Sequence, residues 1–272
     1  MYKRQNPDFS PPKLTRTKLL DWSQALEATA PLADLDARMA TLHPDDVCCF
    51  IYTSGTGGRP KGVMLTHRSI QANIKAAIEL LKEGNVVENQ RFLSLLPLSH
   101  SYEHTAGMHL PFQIKAEVWY CESTDQIANN LVEVSPTLMT AVPRLYEVLH
   151  DRITRGVRAK GGLSEKLFNA AVRLGTKRQH GKRLLPHEVF LNMIVDRLVR
   201  TKVRGRLGGR LQFFISGGAA LNPEIGNFFM ALGINLLQGY GQTEASPLIS
   251  ANRPGKIKIE TVGPCLLYTS PS

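Results

Sequence analysis

Six short apolar runs, each closing at a turn and followed by an amphipathic stretch, do most to restrict the folds open to this 272-residue chain. They are VCCFIYT (47–53), RFLSLLPL (91–98), AEVWYC (116–121), TLMTAV (137–142), LQFFISG (211–217) and INLLQGY (234–240). Their length and their β-branched or aromatic content mark them as strands. After the first run, Ile70, Ile74, Ile78 and Leu81 recur at helical spacing, so the residues from Thr66 should form a helix closing at Gly84. The stretch 144–206 is long, polar and helical in pattern, and LLDWSQALEATA (19–30) has a helical pattern as well. Strands alternating with helices predict an α/β fold: mostly parallel sheets covered by helices on both faces. In such sheets ligands gather at the carboxyl ends of the strands.

Composition supports a soluble globular chain, with 43% hydrophobic and 21% charged residues. The longest uncharged stretch near the C-terminus, IGNFFMALGINLLQGYGQT, is broken by four glycines and four amides, which argues against a membrane span. The N-terminus lacks the apolar segment of a secretion signal, and the four cysteines show no paired spacing. Cys48 and Cys49 read as buried thiols, which points to a reducing, cytoplasmic compartment. The net charge of +10 is concentrated: residues 151–210 hold 16 Lys and Arg against four Asp and Glu, a net of +12. Phe168 and Phe190 are the only aromatics of that block, too few for a stacking nucleic-acid surface, so no nucleic acid partner is expected. A solvated helical face or an anionic membrane surface fits it better.

The eleven residues YTSGTGGRPKG (52–62) follow the first apolar run directly. A loop leaving a strand can turn its backbone N–H groups toward one point, and glycines permit the φ values this needs. Thr53, Ser54 and Thr56 add hydroxyls, Gly55, Gly57 and Gly58 open the backbone, and Arg59 and Lys61 bring charge around Pro60. Polyphosphate suits that set. The ordinary phosphate-loop pattern G-x-x-x-x-G-K-[ST] is not met, since Gly62 follows Lys61.

YTSGTGGRPKGVMLTH resembles the signature loop of the adenylate-forming enzymes, the superfamily of acyl-CoA synthetases, luciferases and peptide-synthetase adenylation domains. Gly57 stands where the family has a third threonine. ISGGAALNPEI (215–225) is similar to the family's adenine-side segment, and GYGQTEAS (239–246) to its next motif. The resemblance implies that Gly217, Gly218, Ala219, Gly239 and Gly241 line the nucleotide, that Tyr240 lies on the adenine face and that Thr243 contacts the α-phosphate. It further implies that Glu244 binds Mg²⁺, and a carboxylate together with phosphate oxygens is a usual magnesium set. LPLSHSYEHTAG (96–107) resembles the family segment that borders the carboxylate pocket, a role this carries to His100. His100 with His104 could suggest a metal pair, but no further ligand completes one.

SPTLMTAVPRLYEVL (135–149) and the basic stretch after it are similar to the long-chain fatty acid:CoA ligase branch. The function implied is ATP- and Mg²⁺-dependent conversion of a long-chain fatty acid to acyl-adenylate and then, with coenzyme A, to acyl-CoA. The 151–210 block would then rest on the inner face of a membrane. The alternatives are an enzyme loading a carrier protein and a non-catalytic nucleotide or anionic-surface binder. MYKRQ and CLLYT at the two ends can be encoded by near reverse complements that resemble a transposon-end sequencing adapter. Residues 1–5 and 265–272 are therefore expected to be scars, and 6–264 the central portion of the family's large N-terminal domain, inactive alone. The family's ribose-binding aspartate, hinge and C-terminal lid would lie beyond Pro264.

Overall fold

A computed structural model describes residues 34–54 and 59–266. The stretch predicted helical at 19–30 lies outside the described residues, as do Gly55, Thr56, Gly57 and Gly58. Two compact units are present, 1–43 and 44–272. In the first, the described residues form α1, Leu35–Thr41.

The second unit begins with an antiparallel hairpin, β1 (Val47–Thr53) and β2 (Lys61–Thr66), paired so that Thr53 faces Lys61. The strand predicted at 47–53 is there, but it belongs to a two-stranded sheet of its own and most of it is exposed. Cys48 is accordingly exposed and Cys49 half-buried, not the pair of buried thiols expected from an apolar run. Two strands cannot cover both of their own faces, and only Ile51 and Leu65 turn fully inward. Partial burial and the neighbouring Cys48 push the Cys49 thiol up.

Helix α2, His67–Glu83, starts at once after β2 because Thr66 and Ser69 form a reciprocal cap: each hydroxyl accepts the other's backbone N–H at 3.1 Å. It closes at Gly84 as the sequence predicts. Its buried stripe is Ile70, Asn73, Ile74, Ala77, Leu80 and Leu81. There follow β3 (Arg91–Ser94), a helical stretch α3 at 101–113 whose middle, His104–His109, is π-helical, β4 (Glu117–Tyr120), α4 (Ile127–Val134) and β5 (Leu138–Ala141). The basic block is helical throughout much of its length. It comprises α5 (Pro143–Lys160), opened by Pro143 at the first turn, α6 (Gly162–Gln179), α7 (Pro186–Val195), a π-helical turn Asp196–Arg200 and α8 (Thr201–Arg206). The chain ends with β6 (Phe213–Ser216), α9 (Pro223–Ala231), β7 (Asn235–Gly241) and β8 (Leu248–Ala251).

The main sheet has the order β4-β3-β5-β6-β7-β8, parallel throughout except for the antiparallel β7–β8 pair. Alternation along the strands shows why both faces are covered. Leu93, Met139, Phe214 and Leu236 pack with Tyr146, Phe229 and Leu174 on one face. Phe92, Leu138, Phe213 and Leu237 pack with Ile70, Ile74 and Leu81 of α2 on the other. Each such side chain removed from water stabilises the fold by about 1.5–3 kcal/mol before chain entropy is counted. Among the described residues no helix is long and apolar enough to cross a membrane.

Candidate functional site

Because β5, β6 and β7 run parallel, their carboxyl ends and the segments leaving them lie side by side. A cleft of about 160 Å³ opens there. Its walls include Gly217 and Gly218 beyond β6, Gly239, Tyr240 and Gly241 of β7, Thr243, and His100 at the start of α3. The structure thus brings together seven of the sixteen residues predicted from the sequence. Ala219 is exposed in the segment continuing from Gly218, and Glu244 is exposed on the single 3-10 turn Thr243–Ala245 beside the cleft.

Glycine at these positions answers to geometry. A Cβ on Gly217 would sit 3.1 Å from the Tyr102 ring, and one on Gly241 would collide with the Pro247 carbonyl. Gly218 has φ +82°, where a side chain is strained. The β6 end is pinned by two phenols: Tyr102 Oη and Tyr146 Oη donate to the Ile215 carbonyl at 2.9 and 2.8 Å. Burial pushes both phenols well above the usual tyrosine range, so they remain donors. Gln238 of β7 fixes the next segment, accepting from Leu221 N at 3.0 Å and donating to the Ile259 carbonyl at 2.6 Å.

The Thr243–Ala245 turn is held from several sides. Ser101 Oγ and Thr243 Oγ1 share a hydrogen bond of 3.0 Å, and Thr105 Oγ1 donates to the Ser246 carbonyl at 3.2 Å. Asn73 of α2 donates to the carbonyls of Ala245 (3.1 Å) and Leu248 (2.8 Å) and accepts from Leu248 N (3.1 Å). Strand β2, which begins at Lys61, lies against the same turn. The hairpin carrying Thr53, Ser54 and Lys61 is therefore a neighbour of the turn carrying Thr243 and Glu244. Lys61 and Ser54 are exposed at the looped end of the hairpin, and Thr53 is half-buried.

Behind the cleft lies a fully buried carboxylate, Glu103, which accepts from Ser94 Oγ (2.6 Å) and Thr140 Oγ1 (2.8 Å). Burial raises its pKa, with those hydrogen bonds opposing the shift. His100 Nδ1 accepts from Tyr102 N at 3.2 Å. His104 stacks edge-on against His109 at 4.6 Å, and burial lowers the pKa of both rings. Among the described residues no group of three His, Cys, Asp or Glu is placed to hold a metal by itself.

The cleft nevertheless suits a nucleotide. Its wall holds the Ser216 hydroxyl, buried and without a partner among the described residues, and glycine backbone where a Cβ would intrude. Glu244 and the Thr243 hydroxyl give a hard-oxygen set that could take Mg²⁺ only in company with a ligand's phosphates. Asn73, Ser101, Tyr102 and Gln238 escaped the sequence reading. The visible signal was for Asn73, an amide on the apolar stripe of a helix.

The family model for AMP-binding enzymes matches residues 4–271. The chain is 38% identical over 216 residues to a peroxisomal long chain acyl-CoA synthetase of Arabidopsis thaliana, covering 78% of this chain and 29% of that protein. It is 32% identical over 248 residues to a long-chain-fatty-acid–CoA ligase of Mycobacterium bovis, covering 87% and 39%. The chain thus spans well under half the length of these relatives. Among solved structures it superposes on a benzoate CoA ligase of Burkholderia xenovorans (TM-score 0.55, 24% identity, 90% of this chain and 43% of that one). It also superposes on a long-chain-fatty-acid-CoA ligase of Archaeoglobus fulgidus (TM-score 0.54, 22% identity, 82% and 37%).

Proposed function

The chain belongs to the AMP-binding enzyme family, and on that premise we propose that the whole protein converts a long-chain fatty acid to its acyl-adenylate and then to acyl-CoA. One observation supports the reading: Thr243 and the glycine-opened ends of β6 and β7 line a single cleft, and the strand that begins at Lys61 packs against the turn Thr243–Ala245. The likeness to long-chain acyl-CoA synthetases supports the choice of acid.

In the first half-reaction a carboxylate oxygen attacks the α-phosphorus of ATP, and the bond to the β-phosphate breaks to release pyrophosphate. Lys61 and the backbone amides of 53–58 hold the departing pyrophosphate, and Thr243 orients the α-phosphate. Glu244 would hold a magnesium ion, which would supply electrostatic stabilisation of the charge that builds on the departing phosphates. Tyr240 covers the adenine, Gly217, Gly218 and Ala219 flank it, and His100 borders the acid's carboxylate. In the second half coenzyme A's thiol displaces AMP. The protein works in the cytoplasm with the cationic 151–210 block against the inner face of a membrane.

The test is pyrophosphate exchange by the full-length protein with acids of graded chain length. Exchange should require a long-chain acid and fall at least a hundredfold in Glu244→Ala, the scale of one lost electrostatic contact to a transition state. Exchange independent of the acid, or a fully active Glu244→Ala, would refute the assignment. Acyl transfer to a carrier protein in place of coenzyme A would change the acceptor and leave the adenylation step standing.

A further inference from the structure

A second cavity, about 380 Å³, lies at the other end of the main sheet. Met230, Ala231 and Gly233, just before β7, form one wall, whereas the nucleotide cleft is lined by residues at the end of that strand. A seven-residue strand separates them by roughly 20 Å. The other walls come from the basic helices: Arg178 of α6, Asp196 and Arg200 of the π-helical turn, and Arg204 of α8.

The charges here do not balance. Three guanidinium groups share one carboxylate. Arg200 has 5% of its side chain exposed and spends its hydrogen bonds on neutral acceptors: Ala231 O (2.9 Å), Asn192 Oδ1 (2.8 Å) and Ala171 O (2.8 Å). Asp196 is half exposed and stands 3.7 Å from Arg200 and 3.8 Å from Arg204, beyond hydrogen-bond range of both. Arg178 has no side-chain hydrogen bond or ion pair with a described residue. Burial lowers the Arg200 pKa, opposed by the attraction of Asp196 and aided by repulsion from Arg178 and Arg204. Like charges collected about one cavity are costly unless a counter-charge joins them. The mouth is also kept clear: Gly233 has φ +78°, and a Cβ there would stand 3.1 Å from Arg204 Nη1.

We propose that this arginine-lined cavity is a second anion site that takes a phosphate group. Guanidinium forks fit phosphate oxygens in pairs, and the net excess of two positive charges matches a phosphate dianion. The phosphate could arrive free or as the headgroup of an anionic lipid. Val189, Phe190 and Met193, exposed by 47, 67 and 66% on α7 within two turns of Asp196, make the lipid worth a separate arm of the test. The inference is independent of the ligase reading.

The experiment uses full-length protein carrying Lys61→Ala, which weakens the hairpin as a competing phosphate site. Calorimetric titration with inorganic phosphate at constant ionic strength should show saturable binding. Arg178→Gln and Arg204→Gln, both at partly exposed positions, should each weaken it about tenfold or more while leaving the unfolding temperature in place. In protein that keeps Lys61, Arg178→Gln should leave pyrophosphate exchange unchanged, so failure of the ligase reading would be seen separately. Sedimentation with vesicles of phosphatidylglycerol in phosphatidylcholine forms the second arm. If the headgroup is the source, Arg178→Gln and Phe190→Ser both reduce partition; if partition is unmoved while phosphate binding falls, the ligand is soluble phosphate. Absence of saturable phosphate binding, or an affinity unaltered by both arginine variants, overturns the proposal.

Discussion

Asn73→Ala should damage both stability and nucleotide handling, although Asn73 stands 172 residues from the turn it holds. Its amide makes three hydrogen bonds at 2.8–3.1 Å and its side chain is 3% exposed. A net hydrogen bond contributes about 1 kcal/mol, and the alanine would leave two carbonyls and one N–H without their partner, so the loss should be about 3 kcal/mol. For a domain of this size that is a fall of roughly 6–12 °C in unfolding temperature. The turn carrying Thr243 and Glu244 would lose its tether to α2, so KM for MgATP should rise in the exchange assay. Asn73→Asp is the sharper variant. It keeps size and the acceptor for Leu248 N, but turns a carboxylate oxygen toward the carbonyls of Ala245 and Leu248, and should be as harmful as alanine. Urea unfolding and ATP-dependent exchange on the two variants decide the matter. A loss below about 0.5 kcal/mol with an unchanged KM, or an Asn73→Asp protein as stable as wild type, would refute the tether.

Gly175→Ala should be among the most disruptive small changes, because its Cβ would run into the Ala231 backbone where α6 crosses α9; a fall of several degrees in unfolding temperature is expected. Glu103→Gln should alter the pH dependence of stability. The folded-state pKa of Glu103 is raised, so its contribution is fully present below the ordinary glutamate range and lost as pH rises through the folded value. The variant should therefore gain on wild type as pH increases, and a variant that loses ground to wild type as pH rises would contradict the buried-carboxylate reading. Tyr146→Phe should cost only about 0.5–1 kcal/mol, since Tyr102 still satisfies the Ile215 carbonyl, whereas the Tyr102→Phe, Tyr146→Phe double variant should cost more than the two singles together.

Strands β3 to β7 and helix α2 were legible because their signals are local: apolar runs of strand length, a 3.6-residue stripe and a glycine close. Strand β2 was not read, although Val63 and Leu65 turn inward and Gly62 and Met64 outward, because the phosphate-loop residues drew the segment toward a loop. Cys48 was placed inside since an apolar run is silent about which sheet it joins. Sheet order is likewise invisible in the runs themselves; β3 lies between β4 and β5 only because crossovers and packing of both faces decide it. At the site, motif order brought His100, Gly217, Gly239, Tyr240 and Thr243 to one place in advance. The residues that hold those motifs in position, Asn73, Ser101, Tyr102 and Gln238, act through contacts across long sequence separations, and no local pattern reports such contacts.

The hairpin register has a consequence for how this region can vary. Thr53 opposite Lys61 fixes which side of the ribbon the lysine emerges from, and side chains on a strand alternate with period two. One residue added among 54–60 lengthens a connection and leaves the ribbon in step. The same addition among 62–65 sends the lysine out of the opposite side, away from the turn it neighbours. Substitution in the connection and conservation of length in the strand are thus two separate tolerances, and a library of insertions scanned across residues 54 to 65 would display the boundary between them as a step.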